Sequence, residues 1–377
     1  MKLRVEDWRP LLAAAAMSLC ALFLGGRFFY FLLYFSTFTV ALALGWVLLL
    51  RANLTWNASP QVRHVVRGRP LPLALRLYNE GLLPAPSISV RGPGVEETLQ
   101  LDPFRSRVWE VELSGLPRGK HRPGPYTYSF TDPFGIFSAA LSARSDVEVV
   151  VYPRTLPVRD LRLANLRPYG RARSMVRGYE DPAQLAEIRL YRQGDPARRI
   201  HWRTTARRGL PHVKEFELSA AAAVHVFLEM GIAAYARREE EDLYVEAALS
   251  VVSRALSSGY TVSLHANSRR SPSLGPCAGT RALGRFREFL CYLRADGTAP
   301  LARVAGRKAA YLEGRTSVLF VIPHLDPPLH HLCERLLRAR FALTIITARD
   351  SARTQALARG GAHLLMLSER GIGSEAP

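Results

Sequence analysis

The chain has 377 residues, enough for two or three domains with substantial cores. Its 51 basic residues outnumber 32 acidic ones, for a formal net charge of +19, which fits an anionic partner: a membrane surface, an acidic protein or nucleic acid. The four cysteines (Cys20, Cys277, Cys291, Cys333) lack CxxC spacing and exclude a disulfide framework or zinc ribbon; they read as small apolar residues in a reducing compartment.

Residues 11–26 carry no charge, Arg27 interrupts, and residues 28–50 are again uncharged. The second run is long enough to cross a bilayer; the first can cross if Arg9 and Arg27 snorkel to the two interfaces. A cleaved signal sequence is the alternative, but the first run lacks an A-x-A site and a second apolar run follows at once. We therefore expect a transmembrane helical hairpin over residues 1–50, turning at Gly25 and Gly26. Lys2, Arg4 and Arg9 before it, and Arg51, Arg63, Arg67 and Arg69 after it, place both ends in the cytoplasm. The bulk of the chain then lies on the cytoplasmic side of the membrane.

Residues 51–155 carry short segments of alternating or clustered apolar residues: LPLALRLYN, APSISVR, RVWEVELSG, GPYTYSF and VEVVVYP. Turn residues separate them, which predicts an antiparallel β-sandwich. Within TDPFGIFSAA, Asp132, Pro133 and Gly135 read as a turn anchoring a strand end.

Residues 156–219 form an arginine- and proline-rich connector. Its segment 189–209, RLYRQGDPARRIHWRTTARRG, sets seven arginines against one aspartate. Asp195 followed by Pro196 predicts a helix start, and Gly209 with Pro211 its stop. A helix over 196–208 would align Arg199, Arg203 and Arg207 on one face, with Ile200, His201 and Trp202 forming an apolar core. The face could be solvated, could bridge acidic residues internally, or could hold a partner. We expect internal ion pairs through Arg198 and Arg207, making the motif a structural clamp between the flanking domains.

From residue 220 to 377 strands and helices alternate: AAVHVFLEM, DLYVEAALSVVSRALSSG, YTVSLHAN, TRALGRFREFLCYLRADG, SVLFVIPHL, PLHHLCERLLRAR and FALTIITAR. Strands that are apolar throughout predict a doubly wound, mostly parallel sheet covered on both faces, with ligands beyond its carboxyl edge. The fold class is therefore α/β. His330, His331 and Cys333 could hold a metal, but a partly exposed helix start is the expected reading.

The segment 189–209 resembles the signature of the bacterial domain-of-unknown-function 58 family, R-x-Y-x-x-G-D-x-x-R-x-I-H-W-x-x-x-A-R. Arg189, Tyr191, Gly194, Asp195, Arg198, Ile200, His201, Trp202, Ala206 and Arg207 occupy its positions. RGKHRPGPYTYSFTDPFGIFS followed by VVVYP, and the two apolar N-terminal runs, are also similar to that family. The resemblance implies a von Willebrand factor A-like C-terminal domain, which often binds Mg²⁺ after its first strand. It also implies association with MoxR-type AAA+ ATPases and transglutaminase-like membrane proteins.

A metal-ion-dependent adhesion site needs D-x-S-x-S there, because Mg²⁺ takes hard oxygen ligands. This chain has Glu229, Gly231 and Ala233 at those positions and Pro323-His324 at the later one, with Asp326 out of register. Neither Mg²⁺ nor any other cofactor is expected. His201 beside Arg203 and Asp195 could be posed as an acid/base set, but no nucleophile accompanies it and no phosphate loop appears. The expected function is a membrane-anchored adaptor working with a MoxR-type AAA+ ATPase in assembly or remodelling of protein complexes. The alternative is a binder of anionic lipid or nucleic acid, although no nucleic-acid reader motif appears.

Overall fold

The structure is a computed structural model that describes residues 2–24, 26–163, 180–191, 200–218, 223–312 and 316–374. It is mixed α/β and divides into two compact units, residues 1–152 and 153–377.

In the first unit, β1 (Lys2–Val5) precedes α1 (Arg9–Leu24) and α2 (Arg27–Asn53). Ten strands follow: β2 (Leu54–Pro60), β3 (His64–Val66), β4 (Leu71–Asn79), β5 (Ala85–Gly92), β6 (Val95–Leu101), β7 (Ser106–Leu113), β8 (Gly119–His121), β9 (Tyr126–Thr131), β10 (Phe137–Ala143) and β11 (Val149–Tyr152). They form sheets of order β1-β10-β9-β5-β6, β2-β4-β7 and β3-β11-β8. Strand β4 shows why: Leu71, Leu73, Leu75 and Leu77 alternate inward and are wholly buried, each contributing about 1.5–3 kcal/mol by leaving water. They share one core with Ile88, Val90 and Phe130 of the larger sheet. Trp56 of β2 stacks on Tyr128 of β9, ring centroids 5.7 Å apart. Asp132 caps the turn ahead of β10, accepting hydrogen bonds from the amides of Phe134 and Phe137.

Among the described residues α2 is the helix long and apolar enough to cross a membrane, and α1 is a shorter apolar helix. α1 has 16 residues, about 24 Å at 1.5 Å per residue, against a hydrocarbon core of about 30 Å. The far end of α2 is not purely a membrane segment either. Ala43, Val47 and Leu50 are buried in the β-rich core, and Trp46 donates its indole N–H to the Pro84 carbonyl at 3.1 Å. Earlier in the helix, Phe28, Phe31, Tyr34, Phe35 and Phe38 are exposed.

In the second unit, β12 (Glu180–Leu190) and β13 (His212–Leu218) pair antiparallel, with α3 (Trp202–Arg208) between them in sequence. The α/β body then runs β14 (Ala223–Leu228), α4 (Arg238–Ser257), β15 (Thr261–Ala266), β16 (Ser273–Cys277), α5 (Leu283–Tyr292), α6 (Leu301–Ala309), β17 (Ser317–Val321), α7 (Pro327–Arg338), β18 (Ala342–Thr347), α8 (Ala352–Arg359), β19 (His363–Ser368) and β20 (Gly371–Gly373). The sheet order is β16-β15-β14-β17-β18-β19-β20. β14, β15, β17, β18 and β19 are parallel, while β16 and β20 close the edges antiparallel. Apolar side chains of the parallel strands pack on both faces, against α4 and α5 on one and α6, α7 and α8 on the other.

Candidate functional site

The strand order reverses at β14, whose neighbours β15 and β17 lead the chain in opposite directions across the sheet. Such a reversal opens a crevice at the carboxyl edge, where doubly wound sheets bind ligands. Glu229 stands there, just past β14. Its Oε1 accepts hydrogen bonds from the Gly231 amide at 2.8 Å and from Asn267 Nδ2 at 2.5 Å. Asn267 follows β15, and its orientation is determined. Its Oδ1 accepts from the Met230 amide at 2.5 Å, and its Nδ2 also donates to the Ala299 carbonyl at 2.9 Å. Burial pushes the Glu229 carboxyl up, opposed by the Asn267 and Gly231 hydrogen bonds; Asp326 adds repulsion and His324 a counter-pull. Asp326, out of register in the sequence, is therefore within electrostatic reach of Glu229.

The loop is held tightly. Gly297 donates to the Met230 carbonyl and accepts from the Ile232 amide, both at 2.9 Å. A Cβ on Gly297 would lie 1.8 Å from the Asn267 carbonyl oxygen. Tyr235 donates its hydroxyl to the Glu229 carbonyl at 2.5 Å, and Tyr244 of α4 accepts from the Ala348 amide beyond β18 at 2.9 Å. At the rim, Ile232 is 70% exposed and Arg349 pairs with Glu240 at 3.3 Å.

This donor set does not fit Mg²⁺. The Glu229 oxygen faces the NH₂ of Asn267, a donor where a cation needs an oxygen, and Gly231 and Ala233 have no side-chain oxygen to offer. His330 and His331 do converge on a carboxylate, that of Glu334, with Nδ1 to oxygen distances of 3.9 and 3.6 Å. Cys333 is buried and its thiol is pushed up to about 12, so it does not share that cluster.

Strands β14 and β15 also carry a pair that sequence reading missed. His225 of β14 and His265 of β15 are hydrogen bonded, Nδ1 to Nε2 at 3.0 Å, and His265 Nδ1 meets Ser273 Oγ at 2.8 Å. Burial pushes His225 down to about 4, with help from Lys308. It pushes His265 down to about 3, with help from His225 and Lys308. Both imidazoles are therefore neutral at pH 7.

The arginine-rich motif is built differently from the expectation. Residues 192–199, including Gly194, Asp195, Arg198 and Arg199, lie outside the described residues, as does the side chain of Arg189. Ile200 forms an antiparallel bridge with Val213, so the chain is still extended there and a helix from 196 is corrected to one from Trp202. The cap is His201, whose Nδ1 accepts from the Thr204 amide at 3.1 Å, while its own amide donates to the His212 carbonyl at 2.8 Å. Thr205 Oγ1 accepts from the His212 amide at 3.0 Å, and Gly209 stops the helix at φ 68°, a left-handed conformation that glycine adopts freely.

No residue of α3 is buried. Trp202 is 70% exposed, so the predicted Ile-His-Trp core does not form. Arg203, Ala206, Arg207 and Arg208 are exposed as well, which corrects the expectation of a buried ion pair through Arg207. Ile200 and His201 shape the turn; Trp202, Ala206 and Arg207 face outward.

Residues 187–366 match the DUF58 family model, described as a protein of unknown function. The match runs from β12 to β19 and so takes in the motif, the crevice and the parallel sheet; it supports the DUF58 family. No curated protein matches the chain. Among solved structures, one similar chain is the CARDB domain of a Pyrococcus furiosus protein, crystallised in complex with di-metal ions. It is 16% identical, covering 26% of this chain and 87% of that one, at a TM-score of 0.20. A likeness that slight carries neither fold nor function for the DUF58 region.

Proposed function

We propose that the protein is a membrane-anchored cytoplasmic adaptor whose DUF58 region is a von Willebrand factor A-like domain that docks a protein partner. The A-like reading is supported by the strand order: a central first strand, an antiparallel edge strand paired to the second, and the remaining strands added in sequence on the far side. The partner class is a MoxR-type AAA+ ATPase, as the family resemblance implies, and the task is assembly or remodelling of protein complexes.

One observation carries the adaptor reading. The carboxylate at the head of the crevice is held by the protein's own amides, while an exposed isoleucine, Ile232, stands on the same rigid loop. A rigid rim with an apolar anchor suits recognition of a protein surface.

The membrane hairpin, with both ends on one side, is supported by β1. This strand precedes α1 yet pairs with β10 of the β-rich unit, and β2 enters the same unit directly after α2. Affinity purification of the full chain from native membranes, read by mass spectrometry, tests the proposal. A AAA+ ATPase recovered with the wild type and lost with Ile232→Glu supports it; the same proteins recovered with both overturn it.

A further inference from the structure

We infer that the outward face of α3, with Leu190, Tyr191 and Leu210 beside it, docks on an anionic phospholipid surface. Trp202 is 70% exposed, Leu210 58%, Leu190 54% and Tyr191 38%. The segments that carry them are adjacent, because the Tyr191 amide donates to the Pro211 carbonyl at 2.9 Å and the His201 amide to the His212 carbonyl at 2.8 Å. Arg203, Arg207 and Arg208 are exposed on the helix between them. The threonines Thr204 and Thr205, in contrast, are half-buried, and Thr205 is bonded to the hairpin.

Water is a poor environment for this mixture and the headgroup zone a good one. An indole ring and leucines settle at the acyl boundary, while guanidinium groups pair with lipid phosphates two N–H groups at a time. The net charge of +19 adds a long-range attraction to an anionic leaflet. The inference rests on reading α2 as a membrane helix, since a chain anchored in the bilayer meets lipid at high effective concentration without a search. An acidic protein could satisfy the arginines, and the test separates the two occupants.

The full chain is reconstituted in discs of phosphatidylcholine alone and in discs that also contain phosphatidylglycerol, with or without brominated acyl chains. The signal is the emission of the wild type minus that of Trp202→Phe, which isolates Trp202 from Trp8, Trp46, Trp56 and Trp109. The inference expects a blue shift and loss of most of this emission with brominated phosphatidylglycerol. It expects neither in phosphatidylcholine, and loss of both effects in Arg203→Gln/Arg207→Gln/Arg208→Gln. Circular dichroism confirms that the variants are folded. Emission that stays unshifted and unquenched in both discs overturns the inference, as does a shift that appears only when an acidic soluble protein is added. Failure of anchoring is read separately, as release of the chain by alkaline carbonate.

Discussion

Asn267 Nδ2 lies 2.5 Å from Glu229 Oε1, so an amide donor occupies one oxygen of this largely buried carboxylate. The two residues are 38 positions apart and meet because β14 and β15 are parallel neighbours ending at the same level. This contact and the Gly231 amide hold the carboxylate against the protein's own loop.

Burial of this carboxylate, which the Asn267 and Gly231 hydrogen bonds only partly offset, brings a pH dependence. The Glu229 pKa is raised in the folded state, so between its unfolded value and that raised value the folded protein binds more protons. The contribution is fully present below the unfolded pKa and is lost as pH rises through the folded one. Glu229→Gln keeps a carbonyl oxygen for the two amides and removes the titration. Its melting temperature should equal or exceed that of wild type at neutral pH, with a flatter pH profile between weakly acidic and neutral solution.

The histidine pair titrates with the opposite sign. His225 and His265 are held neutral, with values of about 4 and about 3, against about 6.5 when unfolded. Between those limits the unfolded chain binds more protons, so stability falls as pH drops from about 6.5, at up to roughly 1.4 kcal/mol per pH unit for each imidazole. Denaturant midpoints measured across this window should move less in the His225→Gln/His265→Gln double variant than in wild type.

The motif divides into residues that shape it and residues it displays. His201→Ala removes the cap of α3 and should cost about 0.5–2 kcal/mol. Trp202→Ala and Arg207→Ala change exposed side chains and should stay within about 0.5 kcal/mol of wild type. Thermal melts of the three variants check this, and a large loss from Arg207→Ala would restore the buried ion pair.

Gly297→Ala should be among the most damaging single changes in the chain. Its Cβ would collide with main-chain atoms of Asn267 and Met230, and backbone cannot rotate away as a side chain can. Poor yield of folded protein is expected, and a well-folded Gly297→Ala with wild-type stability would show that the loop is loose.

Much of the second unit was legible because fully buried parallel strands read as unbroken apolar runs, as in SVLFVIP and FALTIIT. The hairpin of β12 and β13 was not legible, since an arginine- and proline-rich composition hides strand alternation. Asp195-Pro196 reads as a helix start but lies outside the described residues, and the cap of α3 is the histidine six residues on, a role for which histidine is seldom chosen. Trp202 misled for a related reason: an aromatic beside an isoleucine reads as core, but a seven-residue helix fixed by threonines leaves its outer side free. The His225–His265 bond and the Glu229–Asn267 contact depend on which strands become neighbours. Periodicity alone does not reveal that.

The central claim is that the rim of the crevice recognises a AAA+ ATPase. Its most direct test is the affinity of the purified ATPase for the full chain in lipid discs, compared between wild type, Ile232→Glu and Trp202→Ala. Saturable binding by the wild type and by Trp202→Ala is expected, with Ile232→Glu at least ~10-fold weaker, the change expected of one anchoring side chain worth more than about 1.4 kcal/mol. Equal affinity for all three chains, or binding lost with Trp202→Ala and kept with Ile232→Glu, would contradict it.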